Sequence, residues 1–400
     1  MIQNPKEFYR KLDEFLFEIY QVGSENILST VLDELVKQLG KDLHIKNGRL
    51  YELAVDEFVL VYCTNLQNEK VEEVLDINEP SIQLVLQHGC YIYHDPQQIF
   101  PSQSKIPQDF IPMVAFTIQK EEIVWLFVFE LEDGWDRDEI EFSINTTRKV
   151  LNARMISDYM KNSLYQAELI QRSLLPRKTP IIDGFEVFGR SISAEIVGGD
   201  LYDYILFDGG VHFGVAIGDA SGHGLPAALL VRDVVTGLRM GLEKEMKISP
   251  VLEKLNRVIH RSTLSTSFIS LFYAEIETNG DLVYVNAGHP EPMLVQGKKV
   301  TLLKRGGTIL GPLPNVKLKR GFAFMPPDSV LVLYTDGVIE RRNAFGEAFD
   351  KNRLKELIIK NQHYSAEKLV NEVIDAVYNF GNSGPWKDDV TVVVVKRLAK

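Results

Sequence analysis

Four aspartates constrain this chain more than any other feature, because each closes an apolar strand-like run or sits in a glycine-rich turn. They are Asp200 in Val197-Gly198-Gly199-Asp200, Asp219 in Gly218-Asp219-Ala220-Ser221-Gly222-His223-Gly224, Asp336 in Tyr334-Thr335-Asp336-Gly337, and Asp388 in Asp388-Asp389-Val390-Thr391. An unpaired carboxylate buried at a strand end is costly. The adjoining segments carry few Lys or Arg, which leaves a shared cation as the compensation. Oxygen ligands favour a hard ion, magnesium or manganese, over zinc. The glycines let the backbone approach closely and offer carbonyls. Two such ions about 3.5–4 Å apart supply an acidified water and neutralise charge on a phosphate. No Cys-x5-Arg, Gly-x-Ser-x-Gly or Walker A pattern offers another route. Singly, each site has a plainer reading: a turn at Asp336-Gly337, a helix cap at Asp200, a solvated strand end at Asp388-Asp389. Their joint recurrence is what points to metal.

A chain of 400 residues suggests two or three domains. Residues 1–40 carry helical periodicity, and strand-like runs follow. Met113 to Gln119 and Glu122 to Glu130 predict a hairpin around Lys120 and Glu121. This is an α+β domain over residues 1–135. From Asp136 to Leu175 no Gly or Pro interrupts, and Ile140, Ile144, Leu151, Met155, Tyr159, Leu169 and Ile170 fall at loosely helical spacing. Residues 136–176 are therefore a linker of one long helix or two in tandem. Its stripe fits a helix partner or a dock on its own domain. Residues 177–400 alternate strands with helices at Pro226–Gly241, Ser249–Ser262, Lys351–Asn361 and Ser365–Phe380, which predicts layered sheets and helices.

The net charge of -11 argues against a nucleic-acid-binding surface. Two cysteines, Cys63 and Cys90, make neither a disulfide framework nor a thiolate zinc site, and fit a reducing compartment. The N-terminus has no apolar signal core, and no apolar run approaches the roughly 20 residues of a membrane span. The expectation is a cytoplasmic protein without membrane contact.

The motifs resemble, in order and spacing, the SpoIIE/RsbU-like branch of PPM phosphatases. They are Val197 to Asp200 with Tyr202-Asp203, Gly218 to Gly224 with Pro226-Ala227-Ala228-Leu229, Asn286-Ala287-Gly288-His289-Pro290, Tyr334 to Glu340, and Asp388 to Thr391. The match covers about residues 165–398. The resemblance implies an αββα sandwich with metals at one edge, and a manganese- or magnesium-dependent serine/threonine phosphatase using two or more ions. It implies Asp219 as the bridging ligand, with the Ala220 carbonyl beside it. Asp336 and Asp388 complete the more permanent ion, Asp200 acts as an outer ligand, and Asp389 as a weaker one. His223 is either a general acid or a loop-fixing side chain. Asn286 and His289 shape the sheet end. Arg341 and Arg342 either meet phosphate or form a solvated pair.

The first domain resembles a GAF-like sensor, with PAS as a similar pattern. Phe58, Tyr62, Cys63, Tyr91, Phe116 and Trp125 line a ligand pocket or form plain core. The helix ending Gln171-Arg172-Ser173-Leu174-Leu175-Pro176 resembles the linker that feeds such phosphatase domains and implies a homodimer through it. The implied substrate is a phosphorylated STAS-type anti-sigma-factor antagonist. Two other readings share the residues: a signalling module that holds partners without turnover, and a metal-dependent phosphodiesterase or nucleotidase.

Overall fold

The computed structural model describes residues 5–21, 26–65, 71–98, 110–120, 122–207, 210–242, 247–262 and 267–399. Glu121, expected at a hairpin turn, lies outside them. The chain forms two compact units, Met1–Asn162 and Ser163–Lys400.

The first unit opens with α1 (Pro5–Gln21), whose Phe8, Leu12, Phe15 and Ile19 recur every three or four residues and are buried. Then come α2 (Ile27–Glu34), a π turn at Leu35–Leu39 and α3 (Gly40–Leu43). The strands are β1 (Ile45–Ala54), β2 (Glu57–Cys63) and β3 (Val74–Asp76), then, after α4 (Pro80–His88), β4 (Cys90–Tyr93), β5 (Met113–Lys120) and β6 (Ile123–Leu131). They make one antiparallel sheet of order β3-β2-β1-β6-β5-β4. Helix α4 starts on a proline and ends at Gly89 in the left-handed region. One sheet face buries Phe116, Phe127 and Phe129 against the N-terminal helices, and the other buries Tyr51, Phe58 and Leu126 with Val85 of α4. A single helix, α5 (Arg137–Leu174), runs through the stretch that sequence left open as one helix or two.

Of the pocket candidates in this unit, Phe58 and Phe116 are fully buried core. Tyr62 and Trp125 line an open cleft of about 480 Å³ with Glu52 and Lys120. Tyr91 lines a second of about 320 Å³ beside Cys90 and His94. Cys63 and Cys90 are free thiols.

The second unit contains β7 (Phe185–Ile192), β8 (Asp200–Leu206), β9 (His212–Ala220), α6 (Leu225–Leu242) and α7 (Ile248–Ser262). There follow β10 (Ile269–Glu277), β11 (Asp281–Ala287), β12 (Met293–Gln296), β13 (Lys299–Leu302), β14 (Gly306–Gly307) and β15 (Gly321–Phe324). The chain closes with β16 (Val330–Tyr334), α8 (Asp336–Ile339), α9 (Asp350–Asn361), α10 (Ala366–Phe380) and β17 (Val390–Arg397). One sheet has the order β14-β11-β10-β9-β8 with β15 also on β11, and the other β13-β12-β16-β17-β7. The Ser365 hydroxyl caps α10 by accepting from the Lys368 amide.

Alternation along the strands assigns the layers. Leu201, Ala216, Leu271 and Tyr273 face α6 and α7. Val215, Ile217 and Phe272 face Leu331, Leu333, Val393 and Val395 of the opposing sheet. Val332, Val392 and Val394 turn the other way, onto α9 and α10. Helices, two sheets and helices therefore stack in the αββα order expected.

Candidate metal centre

The same alternation places the aspartates. On β9, Asp219 shares the parity of Val215 and Ile217, so it faces the gap between the sheets where their apolar core gives out. Register sets Asp200 directly opposite it on β8, and Ser270 opposite it on β10. Opposed residues of an antiparallel pair project to one face, about 5 Å apart. From the other sheet, β16 ends at Tyr334 and β17 begins at Val390, and these neighbouring ends bring Thr335, Asp336, Asp388 and Asp389 to the same edge. Gly337 is required for this closeness, because a Cβ there would collide with the Asp389 carbonyl oxygen.

Burial and mutual repulsion mark the group electrostatically. Burial, then Asp336, Asp388 and Asp389, push the Asp219 carboxyl up to about 8. Burial, then Asp219, hold Asp200 well above the usual carboxylate range. Asp336 is raised by burial and by Glu340. Asp388 is the most exposed of the set by surface area, yet the surrounding protein partly desolvates its carboxyl and, with Asp336 beside it, raises it too. Among the described residues no Lys, Arg or His forms an ion pair with Asp200, Asp219, Asp336, Asp388 or Asp389. Such a group needs protons or cations, and its oxygen donors suit a hard divalent ion. Among the described residues no three Asp, Glu, His or Cys side chains stand within ion-binding range of one point.

Asp200 and Asp389 are engaged by groups from elsewhere in the fold. The Thr335 hydroxyl donates to Asp200 Oδ2 at 2.9 Å, and the Thr391 hydroxyl lies 2.6 Å from the same oxygen and 2.8 Å from the Ser191 hydroxyl. Asp389 accepts from the amides of Ala194 at 2.7 Å and Gly199 at 2.5 Å, tying the start of β17 to the loop that delivers Asp200. As placed, Asp389 shapes that loop with both oxygens. Replacing Thr391 by valine is expected to destabilise the protein by about 1–3 kcal/mol, since a buried carboxyl loses a partner; urea unfolding measures this.

Ala220, the expected carbonyl ligand, is buried at the end of β9, and its amide donates to the Gly199 carbonyl at 3.0 Å. His223 is exposed, its Nδ1 3.0 Å from Glu195 Oε1, so a carboxylate rather than backbone fixes it. His289 is buried with Nδ1 2.8 Å from the Ser270 hydroxyl, and burial lowers it to about 3, which leaves it neutral. The Asn286 side chain accepts from the His289 amide and donates to the His289 and Leu303 carbonyls. Both residues build the sheet end, as expected. Arg341 is neither of the things sequence suggested. It is buried against Trp386 and donates to the carbonyls of Pro385, Gly381 and Gly384, bracing the loop that leads to Asp388. Arg342 donates to the Gly346 carbonyl.

Sequence reading assigned no role to Thr335, Thr391, Arg239 or Gln171. The two threonines lie inside the quoted motifs, but only tertiary pairing shows their target. Arg239 pairs with buried Asp203 through two nitrogens at 2.7 and 3.0 Å. Gln171 of α5 brackets Gly198, donating to its carbonyl at 2.5 Å and accepting from its amide at 3.2 Å.

Residues 209–398 match the profile of the family described as stage II sporulation protein E (SpoIIE). Phosphoserine phosphatase RsbU of Bacillus subtilis (strain 168) is 27% identical over 247 residues, 61% of this chain and 72% of RsbU. Protein IcfG of Synechocystis is 24% identical over 396 residues, 89% of this chain and 60% of IcfG. Among solved structures, the SiaA-PP2C domain of Pseudomonas aeruginosa superposes with a TM-score of 0.54 at 19% identity, covering 60% of this chain and 98% of that one. This last likeness is one of fold.

Proposed function

We propose, from the premise that the C-terminal unit is a SpoIIE-family domain of the PPM phosphatase type, that the chain is a metal-dependent protein serine/threonine phosphatase. The observation that carries this reading is the gathering of Asp200, Asp219, Asp336, Asp388 and Asp389 at one sandwich edge without an ion-paired Lys, Arg or His among the described residues. Asp219, Asp336 and Asp388 would hold manganese or magnesium, with the Ala220 carbonyl and Asp200 at the margin. Bound ions would supply an acidified water and neutralise phosphate charge. The chain's own residues hold the site in shape. Thr335 and Thr391 fix Asp200, Asp389 fixes the Gly198-Gly199 loop, and Arg341 fixes the approach to Asp388. His223 stands exposed beside Glu195, where it can exchange a proton with a leaving group.

The substrate in this reading is a phosphoserine or phosphothreonine on a partner protein, of the STAS-type antagonist class. The N-terminal unit is a GAF-like sensor. Its link to the centre is α5, since a movement of that helix reaches Gly198 through two hydrogen bonds of Gln171. Exposed Ile156, Tyr159, Met160, Leu169 and Ile170 on α5 favour pairing of two copies through this helix. No described helix is long and apolar enough to cross a membrane, and we place the protein in the cytoplasm. The test is hydrolysis of p-nitrophenyl phosphate and of a phosphoserine-bearing STAS-type protein by the full chain, with manganese and with chelator. Manganese-dependent release of phosphate from both is expected. No release from either would favour a partner-holding module, and turnover of cyclic nucleotides alone a phosphodiesterase.

A further inference from the structure

In a chain of net charge -11, the stretch between Glu291 and Asp328 holds seven Lys and Arg and no Asp or Glu. Folding gathers five of them. Lys304 and Arg305 lead into β14, which pairs with β11 at Asn286 and Ala287. The Lys319 amide donates to the Gly306 carbonyl at 3.1 Å, laying Lys317, Lys319 and Arg320 alongside. All five side chains are exposed. None forms an ion pair among the described residues. Glu253 accepts from the Leu318 amide, Glu275 accepts from the Tyr273 hydroxyl and feels Arg320 at longer range, and Glu291 pairs with Lys351 and feels Lys304 at longer range. Next along the chain, β15 exposes Phe322 at 71% and Phe324 at 52%.

Register locates this strip relative to the metal centre. Gly307 lies on one row with Ala287, Leu271 and Gly218, and Gly218 precedes Asp219. Three strand spacings separate them, so the strip begins about 14 Å from the carboxylates. The centre engages the phosphoryl group itself and offers nothing to acidic residues around it. A basic edge offset along the same sheet offers those residues an attractive path.

We propose that this strip, with Phe322 and Phe324 as its apolar anchor, docks an acidic face of the phosphoprotein substrate beside the phosphorylated residue. The proposal rests on the phosphatase reading and adds the charge of the substrate. Fluorescein-labelled phosphoserine peptides test it, one flanked on both sides by six glutamates and one by six glutamines. With full-length protein and manganese, kcat/KM is expected to be at least about tenfold higher for the glutamate peptide and to fall steeply with salt. The triple variant Lys317→Glu, Lys319→Glu, Arg320→Glu is expected to lose that preference through KM while hydrolysing p-nitrophenyl phosphate at the wild-type rate. Equal use of the two peptides, or a preference that survives the charge reversal, would overturn the proposal. So would tighter binding of single-stranded DNA of matched charge, which would make the strip a nucleic-acid contact. Fluorescence anisotropy of the glutamate peptide on the metal-free protein gives the same comparison without turnover. A protein that binds but hydrolyses neither peptide would therefore contradict the phosphatase reading alone.

Discussion

Asp219→Asn is expected to lower hydrolysis of phosphoserine substrates at least about 1000-fold, a loss of about 4 kcal/mol of transition-state stabilisation, and to weaken manganese binding. The reason is position. Asp219 stands opposite Asp200 in the register and interacts with Asp336, Asp388 and Asp389, so it meets acids delivered by both sheets. The variant should fold. Its side chain has nearly the same shape and, like the protonated carboxyl, carries no charge, so the melting temperature without metal should not fall. Asp336→Asn is expected to behave similarly, and His223→Ala to cost far less, since His223 is exposed and pairs with Glu195 rather than with the clustered acids. Steady-state kinetics and calorimetric metal titration on the three variants check this ordering.

The second large effect concerns pH and metal together. Asp219 titrates at about 8 in the folded protein, against 3.8 for an ordinary aspartate, and Asp200, Asp336 and Asp388 shift the same way. A carboxyl whose folded value is raised holds its proton more tightly when folded. Its contribution to stability is complete below about pH 4 and is lost as pH rises toward about 8. Metal-free protein should therefore unfold at lower urea concentration at about pH 8 than at about pH 6. Each such proton adds up to about 1.4 kcal/mol per pH unit within the window. Manganese replaces the protons, so saturating metal should abolish the dependence and add about 2.7 kcal/mol at a hundredfold excess over Kd. Metal-free stability that does not vary, or that rises, between these pH values would contradict the crowding of these carboxyls.

The clustered acids were legible in sequence because desolvation makes aspartate improbable at the end of a valine-rich strand unless something compensates it. The layers were legible because strands such as Val390–Arg397 and helices such as Ala366–Phe380 carry their periods openly. Other features depend on distance in sequence. Thr391 reaches Asp200 across 191 residues and Thr335 across 135, and nothing local to either threonine signals that. Arg341 reads in sequence as a phosphate contact or half of a solvated pair because its carbonyl partners come from a turn some 40 residues away. Asp219 sits in a glycine-rich turn by sequence, whereas β9 continues through it to Ala220 because pairing with both β8 and β10 extends the ladder. Strand β15 was not anticipated, since Gly321 to Phe324 is short and becomes a strand only beside β11.

The central claim is that distant acids converge to hold divalent ions. Anomalous diffraction from crystals of the full chain grown with manganese tests it most directly. The account predicts strong peaks bounded by Asp219, Asp336 and Asp388, lost in Asp219→Asn crystals. Crystals saturated with manganese that show no peak there, or peaks only at other sites, would contradict it.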